Sequence, residues 1–127
     1  RIARDRALEI LDFLGLGQYA ELPAGDLSFG IQKRVELARA LVANPRLILL
    51  DEPAGGLSHM ELEQLGTVIR RIRDELRMTV LVVEHHMELI MSISDRVCVL
   101  NFGRKIAEGT PAQVQKDPQV IEAYPGE

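Results

Sequence analysis

The sequence has few of the residues that mark several common protein classes. Its 127 residues include one cysteine and no tryptophan, and 4% are aromatic. A single cysteine excludes an internal disulfide framework. Because Cys98 stands within the apolar run 97–100, we expect it to be a buried core thiol rather than a catalytic one. No apolar run approaches the ~20 residues that a membrane-spanning helix needs, so we expect a globular domain that does not enter a membrane by itself.

Excess positive charge and a leader pattern are also missing. The formal net charge is −4, whereas nucleic-acid-binding domains concentrate lysine and arginine on one face, so we expect no nucleic-acid partner. The first residues carry no signal-peptide pattern. The chain does not begin with methionine, and it opens in a segment that already predicts helix. We therefore expect it to be a fragment of a longer protein.

The remaining pattern is an alternation of helices and strands, which predicts an α/β fold. Two wholly apolar runs, 47–50 and 79–83, are typical of buried parallel strands. Ser58 and Glu61 form an S-x-x-E capping box that predicts the start of a helix between them. Strand, helix and strand together predict a βαβ unit.

The other predicted elements follow from local start and stop signals. In chain order they are a helix at about 3–14, a loop at 25–30 leading into a helix that ends at 44–45, a strand near 96–100, a turn at 101–103, an antiparallel strand at 105–107, and two short helices capped by Thr110 and Asp117.

Polar residues follow both predicted parallel strands. Since ligands gather at the carboxyl ends of such strands, we expect Asp51 and Glu52 to face the same crevice as Glu84 and His85. Adjacent acids suit metal-assisted phosphoryl transfer, in which the first holds Mg²⁺, often through water, and the second orients the attacking water. The residues alone also allow a simpler interpretation, in which the acids only cap the strand.

Ser28 and Gly30 stand at the start of the second predicted helix. Ser28 suits an N-cap, and the same helix start offers a hydroxyl, free N–H groups and a positive dipole end to an anion. His85, considered alone, is better explained as an incidental polar residue at the sheet edge than as a ligand. Zinc-like spacing of histidine and cysteine is missing, as is a Ser-His-Asp arrangement, so metal-hydrolase and serine-hydrolase functions are not indicated.

The order and spacing of these segments resemble those of the ATPases of ABC transporters. The segment 27–41, LSFGIQKRVELARAL, resembles their signature motif and helix. The segment 46–53, RLILLDEP, resembles their Walker B strand, with Asp51 at the magnesium position and Glu52 at the catalytic-glutamate position. The segment 54–58, AGGLS, resembles their D-loop. His85 falls at the position of the switch histidine, which reaches the γ-phosphate.

The resemblance implies roles for nine residues. It makes Glu52 and His85 catalytic, and it makes Asp51 the Mg²⁺ ligand through water. It implies that the signature contacts, Ser28, Gly30 and Gln32, serve a nucleotide held by a second subunit, and that the D-loop comprises Gly56, Leu57 and Ser58. The chain departs from the commonest family pattern at four positions, which are Phe29, Ile31, Ser58 and His86.

The resemblance also implies an incomplete P-loop NTPase fold, a partial and mostly parallel sheet with flanking helices and a helical tail. Its parts would be 1–44, the end of the helical subdomain; 45–109, the part of the core with the Walker B strand, D-loop and switch histidine; and 110–127, the tail. The Walker A pattern G-x-x-x-x-G-K-[ST], which holds phosphates, does not occur in these 127 residues. ATP and Mg²⁺ are therefore expected as cofactors of the parent protein, and the isolated chain is expected to be inactive.

The tail and the segment 84–91 resemble the ATPases of branched-chain amino-acid importers. This implies an ATPase that drives solute import, with a second ATPase subunit and transmembrane permease subunits as partners. Its place would be the cytoplasm, peripheral on the inner face of the membrane. Two alternatives stay open, a soluble ABC-type ATPase of DNA repair or translation and a non-enzymatic interaction fragment. Because the parallel strands would lack neighbours, we expect the isolated chain to oligomerise, swap strands or aggregate.

Overall fold

The computed structural model describes residues 2–125. It divides into two compact units, one within 1–82 and the other within 83–127. The regular elements are, in chain order, α1 (Ile2–Phe13), α2 (Phe29–Leu41), β1 (Leu47–Asp51), α3 (His59–Asp74), β2 (Thr79–Val83), α4 (Met87–Ile93), β3 (Val97–Asn101), β4 (Arg104–Gly109), α5 (Pro111–Gln115) and α6 (Pro118–Ala123). The predicted α/β fold is confirmed.

The first unit is built around a two-stranded sheet. Strands β1 and β2 are hydrogen-bonded neighbours that run parallel, and α3 connects them, which confirms the predicted βαβ unit. One face of this sheet shares a core with the helices. The buried residues of that core are Ile10, Leu14, Leu16, Leu37, Ala38, Leu41, Ile48, Val68, Ile72 and Met78.

The prediction that both parallel strands are buried is wrong for one face of the sheet. Ile48 is buried in the core, but its neighbours Leu47 and Leu49 are exposed, and 67% of Leu49 is accessible to solvent. In β2, Leu81 and Val83 are likewise exposed. Successive side chains of a strand point to opposite faces, and within residues 2–125 only one face is covered. An apolar run therefore predicted the strands correctly but not their burial.

The second unit contains an antiparallel hairpin. Strands β3 and β4 pair from Val97 opposite Gly109 to Asn101 opposite Arg104, with a bulge after Val99. The turn between them passes through Phe102 (φ 50°) and Gly103 (φ 78°). The predicted turn and antiparallel partner are confirmed. Helix α5 contacts both strands, and α4 and α6 contact α5.

Cys98 lies outside the core, although its apolar neighbours had suggested a buried position. Val97 and Val99 are buried, whereas Cys98 between them is exposed. The side chains of β3 alternate between a packed face and an open one, as the period of a strand requires. The predicted buried thiol is therefore wrong.

The two tail helices begin as predicted. Thr110 Oγ1 accepts a hydrogen bond from the N–H of Gln113 in a complete capping box, and Asp117 accepts one from the N–H of Gln119. Tyr124 donates its hydroxyl to the carbonyl of Leu100 at 2.6 Å, which ties the end of the tail to β3. Within residues 2–125, no helix has both the length and the apolar character that crossing a bilayer would require.

Candidate functional site

The two acids at the end of β1 lie on a constrained backbone. Asp51 is the last residue of the strand and is exposed. Glu52 follows in the left-handed region, at φ 49°, a conformation that costs roughly 1–3 kcal/mol for a residue with a side chain. Such outliers concentrate at functional sites, where the surrounding structure maintains them. Asn44, Arg77 and Phe102 share this conformation, so the backbone at Glu52 agrees with a functional role and does not by itself assign one.

The loop from Glu52 to Ser58 is tied down at several points. The N–H of Gly55 donates to the carbonyl of Glu52 at 3.4 Å, and that of Leu57 to Ala54 at 3.2 Å. Ala54 is buried. Gly56 adopts a positive φ of 79°, which glycine tolerates without a steric cost. The segment predicted to be the D-loop is therefore a folded turn.

Ser58 and Glu61 close this loop with the predicted capping box. Ser58 Oγ accepts the N–H of Glu61 at 3.2 Å, and Glu61 Oε1 accepts the N–H of Ser58 at 3.0 Å. The hydrogen bond that the Ser58 N–H donates to the Glu61 carboxylate is the main cause that lowers the pKa of Glu61; the Ser58 hydroxyl and the nearby Arg34 add to the effect. The capping role expected for Ser58 is confirmed.

The start of α2 presents an anion-compatible helix end. Ser28 is its N-cap, and Ser28 Oγ accepts the N–H of Ile31 at 3.3 Å. The helix begins at Phe29, so the loop predicted at 25–30 extends two residues too far; Ser28 caps the helix immediately before its first residue. The N–H groups of Phe29 and Gly30 precede the first intrahelical bond. The Ser28 hydroxyl also keeps its hydrogen available for donation.

Gln32, a predicted signature contact, is engaged within its own chain. Its side-chain Nε2 donates to the carbonyl of Leu27 at 2.9 Å. The amide therefore fastens the loop before α2 to the first turn of the helix. The signature motif implies that Gln32 lies near Ser28, and it does. Contact between Gln32 and a nucleotide stays a prediction.

The structure also brings together two segments that sequence analysis had treated separately, the start of α2 and the D-loop. A Cβ built on Gly30 would overlap the carboxylate of Glu61, and one built on Gly56 would lie 2.7 Å from Cε2 of Phe29. Both glycines are therefore places of close approach. Sequence reasoning missed the contribution of Phe29; its signal was a large aromatic at a position where the family commonly has glycine.

At the end of β2, Glu84 and His85 differ in exposure. The Glu84 side chain is 1% exposed and the His85 side chain 73%. Glu84 Oε1 accepts the N–H of His85 at 3.0 Å and lies 3.9 Å from His85 Nε2. These residues belong to the second unit, so the crevice predicted to join them to Asp51 and Glu52 stays a prediction.

His86 is the N-cap of α4, and its side chain makes no capping hydrogen bond there. Its Nδ1 is buried without a hydrogen-bond partner among residues 2–125. Aspartate, which is common at this position in the family, is among the best N-cap residues. His86 therefore leaves the start of α4 without a side-chain cap.

A magnesium ion suits the acid at the end of β1. Mg²⁺ takes hard oxygen ligands and is commonly held by one or two carboxylates together with phosphates and water. Residues 2–125 contain no group of three or more acidic, histidine or cysteine side chains that could hold a metal. A single carboxylate fits an ion whose other ligands are phosphate oxygens and water, and the role of Asp51 as its ligand through water stays a prediction.

Two concavities lie elsewhere. One, of about 30 Å³, lies between the start of α2 and α3 and is lined by Gly30 and Leu57, among others. The other, of about 660 Å³, lies between α4 and the tail and is lined by Met87, Met91 and Tyr124, among others. Neither is lined by Asp51, Glu52 or His85. The predicted catalytic residues therefore stand at strand ends outside both concavities.

Comparison with known proteins accounts for this combination of strand-end acids and capped helix. The family model described as ABC transporter matches residues 2–55. A crystal structure of the ADP conformation of MJ1267, an ATP-binding cassette of an ABC transporter, superposes with a TM-score of 0.89 at 33% identity, and the match covers 100% of this chain and 51% of that one. The chain belongs to the ABC transporter ATP-binding family.

Within this family, the chain is similar to proteins of branched-chain amino-acid transport. The family model described as branched-chain amino acid ATP-binding cassette transporter matches residues 104–124. The high-affinity branched-chain amino acid transport ATP-binding protein BraF of Pseudomonas aeruginosa is 44% identical over 127 residues, which is 100% of this chain and 50% of BraF. LivG of Escherichia coli, of the same description, is 44% identical over 125 residues, 98% of this chain and 49% of LivG. The chain thus spans about half the length of these relatives.

Proposed function

We propose that this chain is the part of an ABC importer ATPase that carries the signature helix, the Walker B acids and the switch histidine. The parent subunit hydrolyses ATP to drive the uptake of branched-chain amino acids. The observation that carries the proposal is the end of β1, where Asp51 is followed by Glu52 on a left-handed backbone that opens a folded, capped loop.

The mechanism assigns separate tasks to these residues. Mg²⁺ bound with the nucleotide supplies charge stabilisation, and Asp51 would hold it through water. Glu52 orients the attacking water and accepts its proton. His85, exposed at the end of β2, reaches toward the γ-phosphate. These tasks are the ones that the family resemblance implies for residues at these positions.

The start of α2 acts on a nucleotide held by a second subunit. The Ser28 hydroxyl and the N–H groups of Phe29 and Gly30 are donors at the positive end of a helix dipole, which suits phosphate oxygens. Gln32 supports them by fastening Leu27. The loop Gly56–Ser58 lies beside these donors and faces the same partner. The proposed partners are therefore a second ATPase subunit and transmembrane permease subunits, with the whole placed at the inner face of the membrane.

The relatives described above favour transport over the other two functions. Each is a transport ATP-binding protein by name or title, and the tail of this chain matches the branched-chain model. DNA repair, translation and a purely structural role receive no such support.

A chimeric subunit tests the proposal. The first half of BraF is joined to residues 1–127 of this chain in place of the half that they match, and the chimera is produced in a strain lacking its own BraF. We expect uptake of radiolabelled leucine to return, and we expect the purified chimera to hydrolyse ATP. The first half of BraF alone, without residues 1–127 of this chain, is the control.

The two readouts separate the parts of the proposal. Hydrolysis without leucine uptake would contradict the substrate class and leave the ATPase assignment standing. A folded chimera that binds ATP without hydrolysing it would contradict the assignment of the acids.

A further inference from the structure

Phe29 packs its ring against the backbone of a distant loop. It is the first residue of α2, and 55% of its surface is exposed. A Cβ built on Gly56 would lie 2.7 Å from Cε2 and 3.3 Å from Cζ of this ring. Carbon atoms in good contact are about 3.5–4.0 Å apart. The ring therefore occupies the space that a side chain at position 56 would need.

The contact is part of a wider seam between the first turns of α2 and the segment 56–64, which comprises the end of the loop and the first turns of α3. Lys33 Nζ lies 5.4 Å from the centroid of the Phe29 ring, within the range of a cation–π interaction. The Glu61 side chain covers Gly30. Arg34 donates to Gln64 Oε1 at 2.6 Å. The seam is thus polar at its edges, with the Phe29 ring on Gly56 at the end near the loop.

The seam joins two groups with different proposed tasks. Ser28 and Gly30 face a nucleotide held by another subunit, whereas the loop that ends at Ser58 begins at Glu52, which acts on the nucleotide of its own subunit. The ring of Phe29 bridges the start of α2 to the middle of that loop at Gly56. A change in the spacing of the two segments therefore alters the packing of this ring.

We infer that Phe29 is a positioning residue, whose ring on Gly56 holds the start of α2 and the loop after Glu52 as one unit. The inference deepens the proposed function and rests on it. With glycine at position 29, the commonest family residue, Gly56 loses this support. In this chain the large residue at 29 and the small one at 56 form a matched pair.

The first experiment measures the contact in the chimeric subunit by urea unfolding. Gly56→Ala adds a methyl group under the ring at φ 79°. Gly103→Ala is the matched control, because Gly103 has φ 78° and no atom within 4 Å of its added Cβ. We expect Gly56→Ala to lower the folding equilibrium constant about tenfold more than Gly103→Ala does, and we expect this excess to vanish in a Phe29→Ala background.

Equal effects of the two glycine substitutions would overturn the contact. So would an excess that persists after the ring is removed. Both outcomes are measurable even when each variant is less stable than the parent chain, because only differences between matched variants are compared.

The second experiment measures the role in the chimeric subunit. We expect Phe29→Ala to lower kcat for ATP hydrolysis about tenfold while KM for ATP stays within about twofold, since small misplacements near reacting groups reduce the rate strongly. Phe29→Tyr retains the ring and should restore kcat. An unchanged kcat in Phe29→Ala, or a Phe29→Tyr variant as slow as Phe29→Ala, would overturn the positioning role. An unmodified chimera without ATPase activity would instead overturn the proposed function together with the role that depends on it.

Discussion

Two connections in this molecule lead from a parallel strand into a helix, and they are built differently. The connection 52–58 joins β1 to α3 and contains two residues at positive φ, Glu52 and Gly56. It ends in a complete capping box. The connection 84–86 joins β2 to α4, has extended backbone at His86 and ends without a side-chain cap.

The difference concerns how a functional side chain is held. Glu52 is placed by its own backbone, which the loop and its cap constrain. His85 is exposed, and its N–H is held by the buried carboxylate of Glu84. The acid proposed to orient water is thus placed by a constrained backbone, whereas the histidine proposed to reach the γ-phosphate is an exposed side chain beside a buried carboxylate.

The largest effect is expected from replacing Glu52, the acid that the constrained backbone of connection 52–58 holds in place. Glu52→Gln in the chimeric subunit should lower ATP hydrolysis by about 10²-fold or more, because the water loses its general base. ATP binding should persist, because Glu52 contributes little to it. Phosphate release and nucleotide binding are measured side by side. Glu36→Gln, an exposed acid on α2, is the control, and full turnover in Glu52→Gln would refute the role of this acid.

The next effect tests the cap that closes the longer connection. Ser58→Ala should destabilise the chain by about 1 kcal/mol, the usual cost of losing an N-cap serine. Ser58→Thr keeps an acceptor oxygen and should lose much less. Urea unfolding of the three proteins measures the difference. If alanine proves as stable as serine, the cap does not hold this loop.

A smaller effect, this time a stabilisation, is expected when a cap is added to the connection 84–86, which has none. His86→Asp should stabilise the chain by about 0.5 kcal/mol or more, because aspartate accepts hydrogen bonds from first-turn N–H groups. His86→Ala separates this gain from the removal of the buried Nδ1. The capping explanation requires the His86→Asp variant to unfold at a higher urea concentration than the His86→Ala variant.

The smallest effect is a pH dependence of the capping box. The folded-state pKa of Glu61 lies below its ordinary value of 4.5, because Ser58 donates to its carboxylate. Its stabilising contribution is therefore present above pH 4.5 and is lost as the pH falls through the lowered folded-state pKa. The stability advantage of the parent chain over Glu61→Gln should shrink across that window. An advantage independent of pH would contradict the ionised hydrogen bond.

Local signals predicted the elements that depend on local hydrogen bonds. Ser28, Ser58 and Thr110 each accept an N–H three residues ahead, so their sequence patterns contain the whole interaction. Helix α4 was not predicted, because His86 gives no capping signal. The family resemblance, which rested on motifs ordered along nearly the whole chain, was confirmed by the comparisons with known proteins.

Features that depend on distant residues were not predictable in this way. Burial of Leu49 depends on whether another layer covers its side of the sheet, and the apolar run carries no such information. Cys98 has apolar neighbours on both sides, but the strand period turns it outward. The contact between Phe29 and Gly56 joins positions far apart in the sequence, so it required the fold.

The exposure of Cys98 has a practical consequence. It is the only cysteine in the sequence, and it lies on the open face of β3. A maleimide dye or a short cross-linker therefore attaches at one known position without engineering. The same thiol can also join two copies through a disulfide, so association through the open strand edges is best measured with a reductant present. Labelling or cross-linking at this thiol can therefore detect which protein chains lie next to β3.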